Sequence, residues 1–208
     1  MNDQPNLVGR PIRSERATLS AHTRERILEA AFRTLSRKGY ENTTVKDIAE
    51  EAAVAQGLVH YYFKSKQALV LAVLVMCCDK LQQPGLIDSA DGALQAFEHF
   101  KATLRDDRDS NSLYVELLGV GLHDPEVGAG ILQFVREDRG NIEAAARNVL
   151  AARELPSEGA TALAGAVWGG VLGIMVQHLV DPDFDADAAV DALAAMSLAF
   201  VTRQPGLP

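Results

Sequence analysis

The chain has 208 residues, 48% of them hydrophobic and 23% charged, which supplies enough apolar surface for one large or two small cores and excludes a chain disordered throughout. Its net charge of −8 argues against an evenly basic nucleic-acid binder, but the charge is unevenly spread: residues 1–80 hold twelve Lys and Arg against nine Asp and Glu, residues 81–208 eight against nineteen. A mildly basic head precedes a strongly acidic body, and only a local basic surface is needed to meet phosphates.

Residues 1–20 are polar, carry Pro5, Gly9 and Pro11, and show no apolar run after a positive charge. They read as a flexible arm rather than a secretory leader. The first helical period follows, with Leu28, Ala31, Phe32 and Leu35 at i, i+3, i+4 and i+7, over about 21–38, and Gly39 stands where a helix end needs a left-handed residue. Val45, Ile48, Ala49 and Ala52 repeat the spacing, with Thr44 and Asp47 placed as a capping box. A third short helix over 56–63 puts Leu58 and Tyr62 inward and leaves Gln56, His60 and Lys64 outward. Two short helices joined by a tight turn form a helix-turn-helix over residues 21–64.

Ser65 can cap a fourth helix from Lys66 onward whose apolar residues lie on almost every side, as in a connector buried among several neighbours. Residues 65–208 then read as connector plus body, with helices over about 90–104, 112–122, 125–152, 157–180 and 187–202, and Pro125, Pro156 and Pro182 at the breaks. No strand-like alternation is present, so the expected fold is all-α: a three-helix head and a larger helical body. Residues 159–180 are uncharged, but glycines, Gln177 and His178 dilute them and Lys and Arg are not biased to one flank, so a membrane span is not expected. The adjacent Cys77 and Cys78 allow neither a framework disulfide nor a metal-ligand spacing, which suits a reducing cytoplasm. The five histidines are scattered, and no catalytic, cofactor or metal motif is found; neither enzyme activity nor a cofactor is expected.

The stretch from Thr44 to Leu69, with Ile48-Ala49, Val54, Gly57, Tyr62-Phe63 and Ser65-Lys66 at their spacings, resembles the N-terminal DNA-binding module of the TetR family. The resemblance covers about residues 22–70 and implies a homodimer with the third helix in the major groove of double-stranded DNA, usually a repressor. On it, Gln56 and His60 read base edges, Gly57 lets the backbone approach, Tyr61 and Lys64 flank on phosphate, and Thr44 and Lys66 hold phosphates at helix N-termini. The sequence departs at two positions, carrying Ala53 where the turn usually has Gly and Ala55 where the third helix usually opens with Ser.

Gly165, Gly169 and Gly173 at i, i+4 and i+8 allow close approach of another helix. The family's dimer interface is built from the last two helices, which implies Leu193 and Phe200 as partners to that glycine face. Two recognition helices one DNA turn apart imply a palindromic operator. A small-molecule effector would need a lined site, for which Phe97, Tyr114, Phe134, Trp168 and Met175 are candidates and Glu116 the polar group. A thiol-based redox sensor using Cys77 or Cys78, and a DNA-binding protein without a ligand, are the competing readings.

Overall fold

A computed structural model describes residues 13–81 and 89–202. Among them it holds nine helices and no strand: α1 (Arg13–Lys38), α2 (Val45–Glu51), α3 (Gln56–Phe63), α4 (Lys66–Leu81), α5 (Ala90–Asp106), α6 (Arg108–Val120), α7 (Pro125–Ala151), α8 (Ala160–Val180) and α9 (Ala186–Thr202). The all-α reading therefore holds. The arm expected over 1–20 lies outside the described residues up to position 12, and from Arg13 it is already helical, so α1 begins eight residues earlier than its apolar period.

Local chemistry explains most boundaries. The end of α1 turns at Gly39, φ +74°, whose N–H bonds to Leu35 O at 2.7 Å. The expected capping box opens α2: Thr44 Oγ1 accepts from Asp47 N, and Asp47 accepts from Thr44 N. The turn out of α2 is a Schellman motif, with Val54 N–H bonding to Ala49 O and Ala53 N–H to Glu50 O, and it holds Ala53 at φ 51°. A glycine would sit there without strain; the alanine Cβ costs roughly 1–2 kcal/mol. Asp107 caps α6 through Ser110 N, which starts that helix four residues before the expected 112. Asp124 caps α7 through Glu126 N and Val127 N, with Pro125 in the first turn, where a missing N–H does no harm.

On α3 the residues turned inward are Val59 and Phe63, while Leu58 and Tyr62 are only half-buried, so the inward face is centred one residue beyond the expected pair. Ile27, Ala30, Ala31 and Leu35 of α1 meet Ile48, Ala49 and Val59. The same apolar cluster continues through Leu69, Val70, Val73 and Leu74 of α4 into Leu113, Leu117, Val127 and Met175 of the body. Helix α4 packs against α1, α3, α5, α6 and α7, as a connector apolar on most sides must.

Helix α8 is long and apolar enough to cross a membrane by length and composition; here it packs between α7 and α9. A methyl group at Gly165, Gly169 or Gly173 would meet nothing within 4 Å among the described residues, so this face is open. Leu193 is not part of it. Its methyls lie against Gly170, and with Val190, Ala194 and Val201 it is buried within the subunit. Phe200 is part-exposed, its ring tip over Gly159.

Candidate functional site

Burying Val59 and Phe63 leaves the other side of α3 to solvent, and Gln56, Gly57, His60, Tyr61 and Lys64 all lie there. Gln56 and His60, one helical turn apart, offer both donors and acceptors from one convex strip. Nothing lies within 4 Å of where a Cβ at Gly57 would sit, so the backbone is open to a close-approaching partner. Tyr61 is 67% exposed, packs edge-on against Tyr62 at 5.1 Å between ring centroids, and carries the Lys64 ammonium 5.7 Å from its own ring centroid. Lys64 closes the helix at φ 62° and ψ −49°, and Ser65 N–H bonds to Phe63 O across it at 2.6 Å: a γ-turn that a side-chain-bearing residue occupies only under strain.

Other basic residues of the head are engaged within it. Arg33 and Arg37 both reach Glu51, at 3.0 and 3.3 Å, and hold its carboxyl below the usual range. Lys38 reaches Asp47 at 2.9 Å. The Thr44 hydroxyl and then Lys38 hold the Asp47 carboxyl well below its ordinary value. Thr44 itself is exposed, at the opening of α2.

Lys66 departs from its expected place. Its ammonium donates to Tyr40 O at 2.6 Å and lies 4.1 Å from the centre of the Tyr40 ring, and burial lowers its pKa. Rather than facing outward at the start of α4, it ties that helix to the end of α1. Glu116 is likewise at the junction of head and body and not beside the aromatic residues of the body: its Oε1 accepts from Tyr40 N at 2.7 Å. Tyr40 completes the joint by donating its hydroxyl to Asp124 Oδ2 at 3.0 Å. The pairing of Tyr40 with Asp124 carries no signal in the sequence, since partners 84 positions apart leave no local pattern.

The opening residue of α3 is Ala55, at φ −68° and ψ 140° with no side-chain cap. Ala55→Ser should therefore add a hydroxyl acceptor for the first turn and stabilise the protein by about 1 kcal/mol, a rise of roughly 2–4 °C in melting temperature. An unchanged or lower melting temperature would refute that N-cap assignment.

In the body, Tyr114 and Phe134 meet edge to face with centroids 6.2 Å apart, bringing α6 to α7. Trp168 of α8 donates its indole N–H to Asp138 Oδ2 of α7 at 2.8 Å. The Tyr114 hydroxyl and Cys78 thiol share a hydrogen bond, and burial pushes both groups up from their ordinary pKa, with Asp138 adding to each. Phe97 packs against the core from α5, and Met175 is fully buried in it. Asp138 is the member sequence reasoning missed. It occupies the next position of the stripe Val127, Ile131, Phe134, and an acid at that spacing is a signal the sequence does contain.

Comparison with known proteins follows this division. A family model described as bacterial regulatory proteins, tetR family, matches residues 27–73. The helix-turn-helix regulator YvkB of Bacillus subtilis is 50% identical over 52 residues, 25% of this chain and 28% of that protein. BetI of Agrobacterium fabrum is 45% identical over 51 residues, 24% of this chain and 25% of that protein. The matched stretch thus spans less than a third of the length of these curated relatives, and it is the head. Across the body the likeness is one of fold: GusR of Salmonella enterica superposes with a TM-score of 0.68 at 20% identity, covering 95% of this chain and all of that one. A TetR transcription regulator of Haloarcula marismortui superposes at 0.69 and 16% identity, covering 88% of this chain and 97% of that one. The helix-turn-helix head is thus similar to the tetR family of bacterial regulatory proteins over residues 27–73, and the nine described helices share their fold with solved regulators of that kind.

Proposed function

We propose that the protein is a sequence-specific, double-stranded-DNA-binding transcriptional regulator: a cytoplasmic homodimer that represses from a palindromic operator and is released by a small-molecule effector. The observation that carries the reading is the exposed strip of α3, where Gln56, Gly57, His60, Tyr61 and Lys64 stand out from a helix whose other side is locked into the core. Gln56 and His60 are suited to base edges and Tyr61 and Lys64 to phosphate, while Thr44 supplies a helix N-terminus beside them. The open face at Gly165, Gly169 and Gly173 on α8, together with the exposed Met196 on α9, supports a second copy as partner and no membrane. The Tyr114, Phe134 and Trp168 cluster supports an effector region in the body. Catalysis is no part of this reading.

The redox alternative has an observation against it. Cys77 and Cys78 are both buried, and burial raises the Cys78 thiol far from the thiolate that peroxide attacks.

The test is a selection of DNA sites by the purified protein, followed by binding to the best site at two salt concentrations. A palindrome should be enriched and its affinity should fall with salt. Gln56→Ala and His60→Ala should each weaken it by about 1–3 kcal/mol and relax the sequence preference near one position per half-site. No enriched sequence, or binding indifferent to both substitutions, would overturn the proposal.

A further inference from the structure

Helix α7 shows its buried face at Val127, Ile131 and Phe134, and the next position of that stripe is Asp138. Its carboxylate lies between α7 and α8, accepting from Trp168, with Phe134 one turn earlier and the buried Tyr114 edge-on to Phe134. Phe134, Asp138 and Trp168 are each part-exposed whereas Tyr114 is buried, so the cluster runs from the surface inward.

Resting on the effector reading above, we propose that this cluster is the effector site and that it takes an organic cation with an apolar body, Asp138 meeting the charge and Trp168, Tyr114 and Phe134 the body. Three physical considerations select that class. The carboxylate offers a cation the opposite charge, and the three rings beside it offer an apolar body the surface to pack on. An anion would bring its charge against Asp138 where partial burial weakens the screening. A neutral ligand would strip water from the carboxylate without compensating it. Burial already pushes Asp138 up from its ordinary pKa, and a cation held against the carboxylate would act in the opposite direction. The body's excess of nineteen acids over eight bases adds attraction at long range.

The site lies on the helices that hold the head. Helix α7 carries Phe134 and Asp138 and is capped by Asp124, which accepts from Tyr40; α6 carries Tyr114 together with Glu116, which also accepts from Tyr40. Separating α6 from α7 to seat a ligand therefore acts on both bonds to the end of α1.

The chain has a single tryptophan, so its fluorescence reports from the site itself. The full-length protein is titrated with tetraphenylphosphonium, with tetraphenylborate of the same shape and opposite charge, and with neutral triphenylphosphine oxide. Release of the selected operator is followed in parallel. Tetraphenylphosphonium is expected to change Trp168 emission and release DNA, and to bind at least about tenfold more tightly than the other two. Asp138→Asn keeps an acceptor for the indole N–H and removes the charge. It should weaken the cation by at least about tenfold and leave triphenylphosphine oxide unchanged. Equal binding of the three probes, no binding of any, or an Asp138→Asn protein that binds the cation as tightly as the wild type overturns the proposal. If Asp138→Asn does not fold, the discrimination among the three probes by the wild type decides alone. Release by the neutral or anionic probe would leave the effector reading standing while the cation inference falls. Failure of all three probes, together with failure of a small-molecule cell extract to release the operator, would remove both.

Discussion

Gly128→Ala is expected to destabilise the protein by about 3 kcal/mol, a fall of roughly 6–12 °C in melting temperature for a chain of this size. A Cβ at position 128 would lie 2.5 Å from the carbonyl oxygen of Gly121, and one at Gly121 would lie 2.5 Å from Ile131 Cδ1 and 3.3 Å from Gly128 Cα. The end of α6 and the first turn of α7 thus touch backbone to backbone, and a carbonyl cannot swing aside as a side chain does. The α6–α7 turn must open instead, drawing Asp124 away from Tyr40. Helix propensity alone would favour alanine by up to about 1 kcal/mol, so the sign of the result is diagnostic. Gly140, on the same helix, has nothing within 4 Å of a Cβ among the described residues, and Gly140→Ala should raise stability by about 0.5–1 kcal/mol. Thermal melts of the two variants check the pair. A Gly128→Ala protein as stable as the wild type would mean that α6 and α7 do not meet there.

The helices were legible because burial on one face writes a 3.6-residue period into the sequence and because caps and prolines mark its ends: Thr44 with Asp47, Ser65 and Pro125 all stand where the structure uses them. The first two turns of α1 were not legible, since Arg13 to Ser20 is polar and carries no such period. The exposed strip of α3 could be read because a surface residue's role follows from its own helix. What a residue faces across a helix interface could not. Glu116 follows Tyr114 by two positions and so points elsewhere, toward Tyr40, and Leu193 turns to Gly170 of its own subunit rather than outward. Such choices depend on which helix lies alongside, and periodicity carries no record of that. Asp138 is intermediate: its place in an apolar stripe is visible, whereas its partner Trp168 is 30 positions away.

Tyr40→Phe is expected to cost about 1 kcal/mol, the usual net worth of one hydrogen bond, and to change how stability responds to pH. Burial first, and then the bond to Asp124, push the Tyr40 hydroxyl from 10.0 up to about 12. Folding therefore favours the protonated phenol. Its contribution is complete below pH 10 and is lost as pH rises through 12. On the acid side the Val127 N–H and then the Tyr40 hydroxyl hold the Asp124 carboxyl below its ordinary 3.8. That contribution is present above 3.8 and lost as pH falls through the lowered value. One bond thus feeds both limbs of the curve of stability against pH, and two substitutions separate them. Tyr40→Phe should flatten the alkaline limb and soften the acid one; Asp124→Asn, which keeps an oxygen acceptor, should flatten the acid limb and leave most of the alkaline one. Urea midpoints followed from the acid to the alkaline limit measure both, and the double variant should lose less than the two single losses together, because each weakens the same bond, one by removing its donor and the other by removing the charge on its acceptor. Strict additivity would show that Tyr40 and Asp124 do not act on each other. Since Tyr40 lies in the turn just after the first helix of the head and Asp124 caps the longest helix of the body, that result would also leave α7 without this tie to the head.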